Sequence, residues 1–453
     1  MKLQTTIDVL NRLIAEQEAA AVEWHPRSTA LLARAKGSLA GGVTSSWQSA
    51  RPQPIWMSHG LGSKVYDVDG YEYVDMHGGY GVSAVGHAHP AIVEAVRNRV
   101  GRGTHFAQPS EDAVVVAENL ATRFGLPLWR FANSGTEATM DAVHLMRAFT
   151  GRRLIVKVEG SYHGHHDSVM VSVYDEDGLG PYRRPHSVAS GRGIPDEIVR
   201  LTRIIPFNDI EAAEGLFTEI GDEVAGVIVE PIMMNIGVIP PKPGYLEGLR
   251  ALAHRYGALL AFDEVKTGFT THFGGATKLY GVQPDLVCLA KALGGGVSTA
   301  AIGGTAEVMG MIVDGRYDQV GTFNGNPLAM AAARATVTEV LTDDAYRHFD
   351  RLRDILVRGA EDVLRRYEIP GYLSAIGAKG CVTFSNTEIS NYRDFLEIDN
   401  RWGQAHWLYQ YAGGVLLPPW GKSEQWLVSV QHTEDDTELF VKNFEAFGAA
   451  LRS

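Results

Sequence analysis

Three short stretches of this chain set side by side residue types that suit chemistry better than packing. Phe131-Ala132-Asn133-Ser134-Gly135-Thr136-Glu137-Ala138 follows an apolar run and opens a helical pattern reaching about Phe149. Ser134, Gly135 and Thr136 then sit at a helix N-terminus, where free N–H groups and the helix dipole favour an anion. Gly135 permits close approach of a ligand, and the two hydroxyls add donors. Alone, this motif reads equally as an ordinary Ser/Thr cap, and it is no P-loop because the Gly-Lys-Ser/Thr ending is missing. The second stretch places Asp263 and Glu264 directly after the apolar run Ala258–Phe262; the third places Lys291 after Leu286–Leu289. In parallel α/β sheets ligands bind outside the carboxyl ends of the strands, so an anion site, a carboxylate and an amine converge on one crevice.

A lysine of lowered proton affinity forms a Schiff base with an aldehyde. A carboxylate facing a pyridine nitrogen keeps that ring protonated and electron-withdrawing. With a helix N-terminus for a phosphate, these are the needs of pyridoxal 5'-phosphate. Tyr162-His163-Gly164, after Leu154–Val158, adds an aromatic that can stack on the ring and a glycine that leaves room for it.

These groups need a scaffold, and the pattern between 125 and 305 supplies one. Apolar runs at Leu128–Ala132, Leu154–Val158, Gly226–Val229, Ala258–Phe262, Leu286–Leu289 and Ala300–Ile302 alternate with stretches long enough for crossover helices, such as Gly244–Tyr256. Most runs are apolar on both faces, so the expected core is an α/β domain with a mostly parallel sheet. Residues 61–75 read as a hairpin, Val65–Asp67 and Tyr71–Val74 about an Asp69-Gly70 turn. Beyond Pro327 come helical patterns at Leu328–Thr342 and 344–367, then β-like pieces at Cys381–Phe384, Gly414–Leu417 and Trp426–Val430. The expected division is 1–75, an N-terminal segment with part of a small α+β lobe; 76–330, the large cofactor-binding domain; and 331–453, the rest of the small lobe. Gly178–Pro195 is too long and polar for a tight connection and reads as an active-site loop.

The chain has 453 residues, room for two lobes, and its 45% hydrophobic and 21% charged content is that of a globular enzyme. A formal charge of −12 disfavours nucleic acid and anionic membranes as partners. Cys288 and Cys381 stand alone, which excludes a disulfide scaffold and reads as two reduced, buried thiols. The N-terminus reads as an amphipathic helix with Leu3, Ile7, Leu10 and Ile14 on one face, not as a targeting segment. No apolar run approaches the roughly 20 residues that span a bilayer, and a cytoplasmic protein is expected.

Five stretches together carry a family likeness: NSGTEA (133–138), EGSYHGHHDS (159–168), AFDEVKTGF (261–269), PDLVCLAKALGGG (284–296) and GTFNGNPLAM (321–330). Through them the chain resembles the class III aminotransferases of fold type I, and within these it is similar to the glutamate-1-semialdehyde aminomutase-like branch. The resemblance covers nearly the whole chain and is densest from Tyr73 to about Val340. It implies a seven-stranded, mostly parallel sheet, pyridoxal 5'-phosphate as cofactor, and a homodimer with shared active sites. It implies that Lys291 forms the Schiff base, Asp263 pairs with the pyridine nitrogen, and Tyr162 and Val265 pack on opposite ring faces. Ser134, Gly135 and Thr136 would hold the phosphate, and Thr322 resembles the threonine that reaches the phosphate of the neighbouring subunit. Asn235 matches the asparagine near the ring hydroxyl, with Glu230 and His163 supporting the groups around the site. The implied activity is transfer of an amino group from a small-molecule amine or amino acid to a keto acid or aldehyde, by way of pyridoxamine phosphate. The alternative is an aminomutase.

The departures bear on substrate. The aminomutase branch carries a substrate-binding arginine in a GGVNSPVR-like segment; here Gly41 to Gln48 reads GGVTSSWQ, with Gln48 at that arginine's position. Loss of a planar, bidentate fork removes the natural carboxylate clamp, and Trp47 makes the entrance more apolar. Arg183 is a candidate replacement, as are Arg51, Arg184 and Arg192, and Thr270 stands where an arginine is common. The expected enzyme is therefore an amine or omega transaminase. His87, His89, His165 and His166 lack metal-ligand spacing and read as loop residues, so no metal is expected. Asp435-Asp436 reads as a solvated helix start, and Trp56, Trp402, Trp407, Trp420 and Trp426 as packing residues.

Overall fold

The computed structural model describes residues 3–418, 422 and 425–452. Leu154–Val158, Val224–Val229, Leu259–Asp263 and Leu286–Leu289 are buried at every position. Side chains alternate along a strand, so such runs feed two cores, one on each face of the sheet. Ile155, Ile228, Ala261 and Cys288 join Ala142 and Met146 of the helix Gly135–Thr150 in one core. Val156, Val227, Leu260 and Val287 join Leu246 and Leu249 of the helix Tyr245–Arg255 in the other.

From edge to edge the seven strands run Leu128–Ala132, Ala300–Gly304, Leu286–Leu289, Leu259–Asp263, Val224–Val229, Leu154–Val158 and Thr202–Ile205. Ala300–Gly304 is antiparallel to both neighbours, and the other pairings are parallel. Six strands therefore end on one edge of the sheet, and the segments after them open onto common ground. Thr202–Ile205 has no counterpart among the expected strands: four residues with an arginine among them carry no clear period, and pairing with Leu154–Val158 defines it. Lys157 sits inside a fully buried strand because its ammonium donates to the carbonyls of Ser161 and Val171 at 2.9 and 2.6 Å.

Residues from both ends of the chain build a second sheet. Met57–Leu61, Lys64–Asp67 and Glu72–Asp75 pair antiparallel in succession, and Val415–Leu416 adds parallel to Glu72–Asp75. The hairpin turn is held by Asp67, whose Oδ1 accepts from the N–H groups of Gly70 and Tyr71 at 2.7 and 2.8 Å. Tyr372–Ile376, Lys379–Thr383 and Gln425–Leu427 form a third, antiparallel sheet. The N-terminal helix Leu3–Trp24 buries Leu10, Leu13 and Ala21 and packs on Asn400–Ala412. The helix expected over Leu328–Thr342 is Pro327–Ala335 followed by a π-helical turn, Thr336–Val340.

Asp436 corrects an expectation. It is buried, closes a capping box with Thr433 and pairs with Lys64 at 2.5 Å, tying the C-terminal helix Glu434–Ala450 to the hairpin; only Asp435 is exposed. Cys288 and Cys381 are free and buried. No helix among the described residues is long and apolar enough to cross a membrane.

Candidate active site

Each functional side chain stands on the segment that leaves a strand. Asp263 is the last residue of its strand, Lys291 lies two residues past Leu289, and Glu230 follows Val229. Tyr162 and His163 follow Leu154–Val158, and Ser134 follows Leu128–Ala132. They line one cavity of about 1000 Å³.

Ser134 caps the helix Gly135–Thr150: its hydroxyl accepts from the Glu137 N–H at 3.2 Å, and the Glu137 carboxylate accepts from the N–H groups of Asn133 and Ser134 at 2.6 and 3.1 Å. The N–H groups of Gly135 and Thr136 have no acceptor within the helix and can take an anion. Gly164 lies against this turn with φ +102°; a Cβ there would stand 2.7 Å from Thr136 Cα, so only glycine fits. The Gly135 side faces Val265, whose methyls lie 3.0 and 3.1 Å from where a Cβ would be.

Asp263 is held from two sides. Its Oδ2 meets His163 Nδ1 at 2.8 Å, and its Oδ1 accepts from the Val265 N–H at 3.0 Å. His163 Nε2 is buried with no hydrogen-bond partner. Glu264, expected beside Asp263 as a second carboxylate, points the opposite way, as alternation along the strand requires. It is buried and accepts from the N–H groups of Ala276 and Thr277 at 2.7 Å each and from the hydroxyls of Thr267 and Thr277. Burial raises its proton affinity.

Lys291 has φ +52°, a left-handed conformation that costs a non-glycine residue about 1–3 kcal/mol and aims its side chain into the cavity. Burial lowers its proton affinity, while Asp263 and Glu230 act the other way. Glu230 Oε1 accepts from the Tyr162 N–H at 3.0 Å and from Asn235 Nδ2 at 2.9 Å, and Oε2 from the Met234 N–H at 3.1 Å.

The cavity wall is aromatic. The Trp47 ring stands edge-on to Tyr80 and Tyr162 at 5.1 and 5.7 Å, and the Tyr80 hydroxyl donates to the Trp47 carbonyl at 2.9 Å. Gln48 lines the mouth with its Oε1 turned back onto Thr44, accepting from the N–H at 3.1 Å and the hydroxyl at 2.5 Å. No arginine lines this cavity among the described residues. Arg183, expected as a substrate contact, is exposed and pairs with Asp209 and Glu211 at 3.0 Å each, because that loop packs its charges outward. Thr322 is exposed outside the cavity, its carbonyl accepting from His105 Nε2 at 2.7 Å.

Trp56 and Trp407 also line the cavity, Trp407 from a buried core position with its indole donating to the Leu417 carbonyl at 2.7 Å. Trp426 is fully buried and Trp402 stacks on Phe384, while Trp420 lies outside the described residues. His87 is bound to Asp75 at 2.6 Å and His89 caps the helix Pro90–Val100. Among the described residues no group of three or more ligating side chains is placed to hold a metal ion. Sequence reasoning missed Lys266, a second lysine lining the cavity, and Tyr80. Lys266 stands three residues past Asp263, where one more turn returns a side chain to the same space; Tyr80 carried no signal.

The class III aminotransferase family model matches residues 46–424. The chain is 38% identical over 432 residues to glutamate-1-semialdehyde 2,1-aminomutase 2 of Brevibacillus brevis, covering 94% of this chain and 99% of that one. An omega-transaminase from Sphaerobacter thermophilus superposes with a TM-score of 0.89 at 32% identity, over 94% of this chain and 98% of that one. A glutamate-1-semialdehyde aminomutase from Pseudomonas aeruginosa PAO1, solved in complex with PMP, gives a TM-score of 0.90 at 29% identity, over 98% and 99%. This chain belongs to the class III aminotransferases, enzymes of fold type I that depend on pyridoxal 5'-phosphate.

Proposed function

We propose that the protein is a transaminase that moves an amino group from an amine or amino acid with an aromatic or apolar substituent to a keto acid or aldehyde. The observation that carries this reading is the wall beside Lys291: Trp47, Tyr80 and Tyr162 stand there, Gln48 occupies the mouth, and no arginine lines the cavity among the described residues. Among the described residues lining the cavity, none offers the planar fork that would clamp a substrate carboxylate from two sides.

The residues fit the cofactor on several counts. The free N–H groups of Gly135 and Thr136, with the hydroxyls of Ser134 and Thr136, suit its phosphate. The space between Val265 and Tyr162 suits a flat ring. The buried Asp263 carboxylate suits a protonated ring nitrogen, and the buried, unpartnered His163 Nε2 is a polar atom still awaiting a partner. When bound, the cofactor supplies an electron sink. Lys291 Nζ, its proton affinity lowered by burial, takes the proton from the amine-bearing carbon of the substrate. Asp263, fixed by His163 and the Val265 N–H, maintains a negative charge in the cavity floor against which a proton is held. Tyr162 and Trp47 exclude water from the donor's apolar group. We further read the protein as a cytoplasmic homodimer in which Thr322 completes the partner's phosphate site, with 76–330 as the cofactor domain and both termini forming the small lobe. Exposed Val320 and Phe323 beside Thr322 support that reading.

An aminomutase is the second reading, favoured by the likeness to the glutamate-1-semialdehyde 2,1-aminomutase 2 of Brevibacillus brevis. One experiment separates the two. Holoenzyme is mixed with a simple arylalkyl amine lacking a carboxylate, with no acceptor present. Conversion of the visible band to the near-ultraviolet band, with ketone released, supports the transaminase. No conversion of the amine, with turnover of the amino semialdehyde alone, overturns it.

A further inference from the structure

A second lysine enters the cavity beside Lys291. Lys266 Nζ donates to Asn235 Oδ1 at 2.6 Å and to the Met234 carbonyl at 3.2 Å. Asn235 in turn donates through Nδ2 to Glu230 Oε1 at 2.9 Å, and that same oxygen accepts from the Tyr162 N–H at 3.0 Å. The oxygen and nitrogen of an asparagine amide are told apart only by their partners. An ammonium at one end and a carboxylate at the other permit a single orientation: the flipped amide would set NH₂ against ammonium and oxygen against carboxylate. One Nδ2 hydrogen remains free of Glu230 at the cavity wall that Asn235 lines.

The stems of the two lysines both pass Gly81. A Cβ on Gly81 would lie 3.6 Å from Lys291 Cδ and 3.9 Å from Lys266 Cγ. Asp263 and Glu230 from the strand ends, His163 bound to Asp263, His77 from the loop after Asp75 and Lys379 from the third sheet complete the titratable and charged surroundings.

We propose that Lys266 is a positioning residue: its Nζ holds the Asn235 amide in one orientation toward the cofactor site. This rests on the reading of Lys291 as the cofactor-bearing amine. Burial first, then the charges of Lys291 and Lys379, lower the proton affinity of Lys266. In either protonation state Nζ keeps enough N–H groups to donate to both Asn235 Oδ1 and the Met234 carbonyl.

The test uses the holoenzyme, its visible absorbance band and the rate of cofactor release into buffer. Lys266→Met removes the donor to Asn235; Lys266→Gln is the conservative variant that keeps one. Loss of one hydrogen bond's worth of positioning should speed release about 2- to 12-fold in Lys266→Met. Lys266→Gln should release the cofactor at close to the unsubstituted rate. Unchanged release in Lys266→Met, or equally fast release in both variants, overturns the proposal. Asn235→Ser approaches from the other side, should neither lysine variant fold: faster release is expected, and unchanged release overturns it. Lys291→Ala is the separate control. If it retains the visible band, the reading of Lys291 fails; if it loses the band and Lys266→Met releases cofactor no faster, only this inference fails.

Discussion

Replacing Gly135 by alanine sets two effects of opposite sign against each other. Gly135 begins the helix with no left-handed φ, so alanine suits its backbone, and fewer unfolded conformations favour folding by about 0.4–1 kcal/mol. The new Cβ, however, stands 3.0 and 3.1 Å from the two Val265 methyls. Val265 cannot retreat with its backbone, because its N–H is bonded to Asp263 Oδ1 at 3.0 Å. Its methyls must move into the cavity, which is open in the apoprotein and taken up by the ring in the holoprotein. Overpacking of this kind costs about 1–3 kcal/mol. That converts to a cofactor affinity about 5- to 150-fold weaker, at about 1.4 kcal/mol per tenfold. Titration of apoprotein with pyridoxal 5'-phosphate, followed by visible absorbance, measures the affinity; thermal unfolding of the apoprotein measures stability. The apoprotein should melt no lower than the unsubstituted one while its affinity falls, and Val265→Ala added to Gly135→Ala should restore most of the affinity. An affinity within twofold of the original, or a double variant as weak as the single one, refutes the reasoning.

Arg393 donates to both carboxylate oxygens of Glu159 at 2.7 Å and to the Leu179 carbonyl at 2.9 Å, holding the segment before Tyr162 against the C-terminal part of the chain. Glu159 is 1% exposed, so Arg393→Ala leaves a buried carboxylate unpaired at a cost of about 3–5 kcal/mol, and the holoprotein should melt at least about 3 °C lower. Arg393→Met with Glu159→Gln should lose less, and a single variant that melts normally would show the pair to be idle. Lys379 gives a pH signature: burial and the Lys291 charge bring its pKa down to about 7, from 10.5 in an unfolded chain. Between those values unfolding takes up a proton, so the cost of burying Lys379 is complete below pH 7 and fades as the pH rises. Lys379→Met should therefore raise the melting temperature near pH 6.5 and lose that advantage toward pH 10; a constant difference across the range would count against it.

Much of the site was legible because its residues hang directly on strand ends. A strand apolar on both faces is recognisable by composition, and the first polar residue after it must leave the sheet at its carboxyl edge. That is why Asp263, Lys291 and the Ser134–Thr136 turn could be read along the chain and found around one cavity, whereas Glu230 came only from the family likeness. Local periodicity likewise marked the central strands and the hairpin, whose patterns are set by their own residues.

Contacts between distant residues were not legible. Asp263 and Glu264 are adjacent and chemically alike, yet one faces the cavity and the other caps the helix Gly275–Tyr280, a choice made by the register of the strand against its neighbours. Arg183 and Gln48 looked alike as substrate contacts until the path of each loop turned one outward to Asp209 and left the other at the mouth. Thr202–Ile205 is a strand only because Leu154–Val158 offers it an edge. The sequence by itself determined the family and its cofactor, and nominated the residues for that chemistry, since short motifs of given residue types and spacing carry the likeness. Tertiary structure alone decided the aromatic wall, free of arginine among the described residues, and the meeting of Lys266, Asn235 and Glu230, because side chains far apart in sequence share a space only after the whole sheet has closed around it.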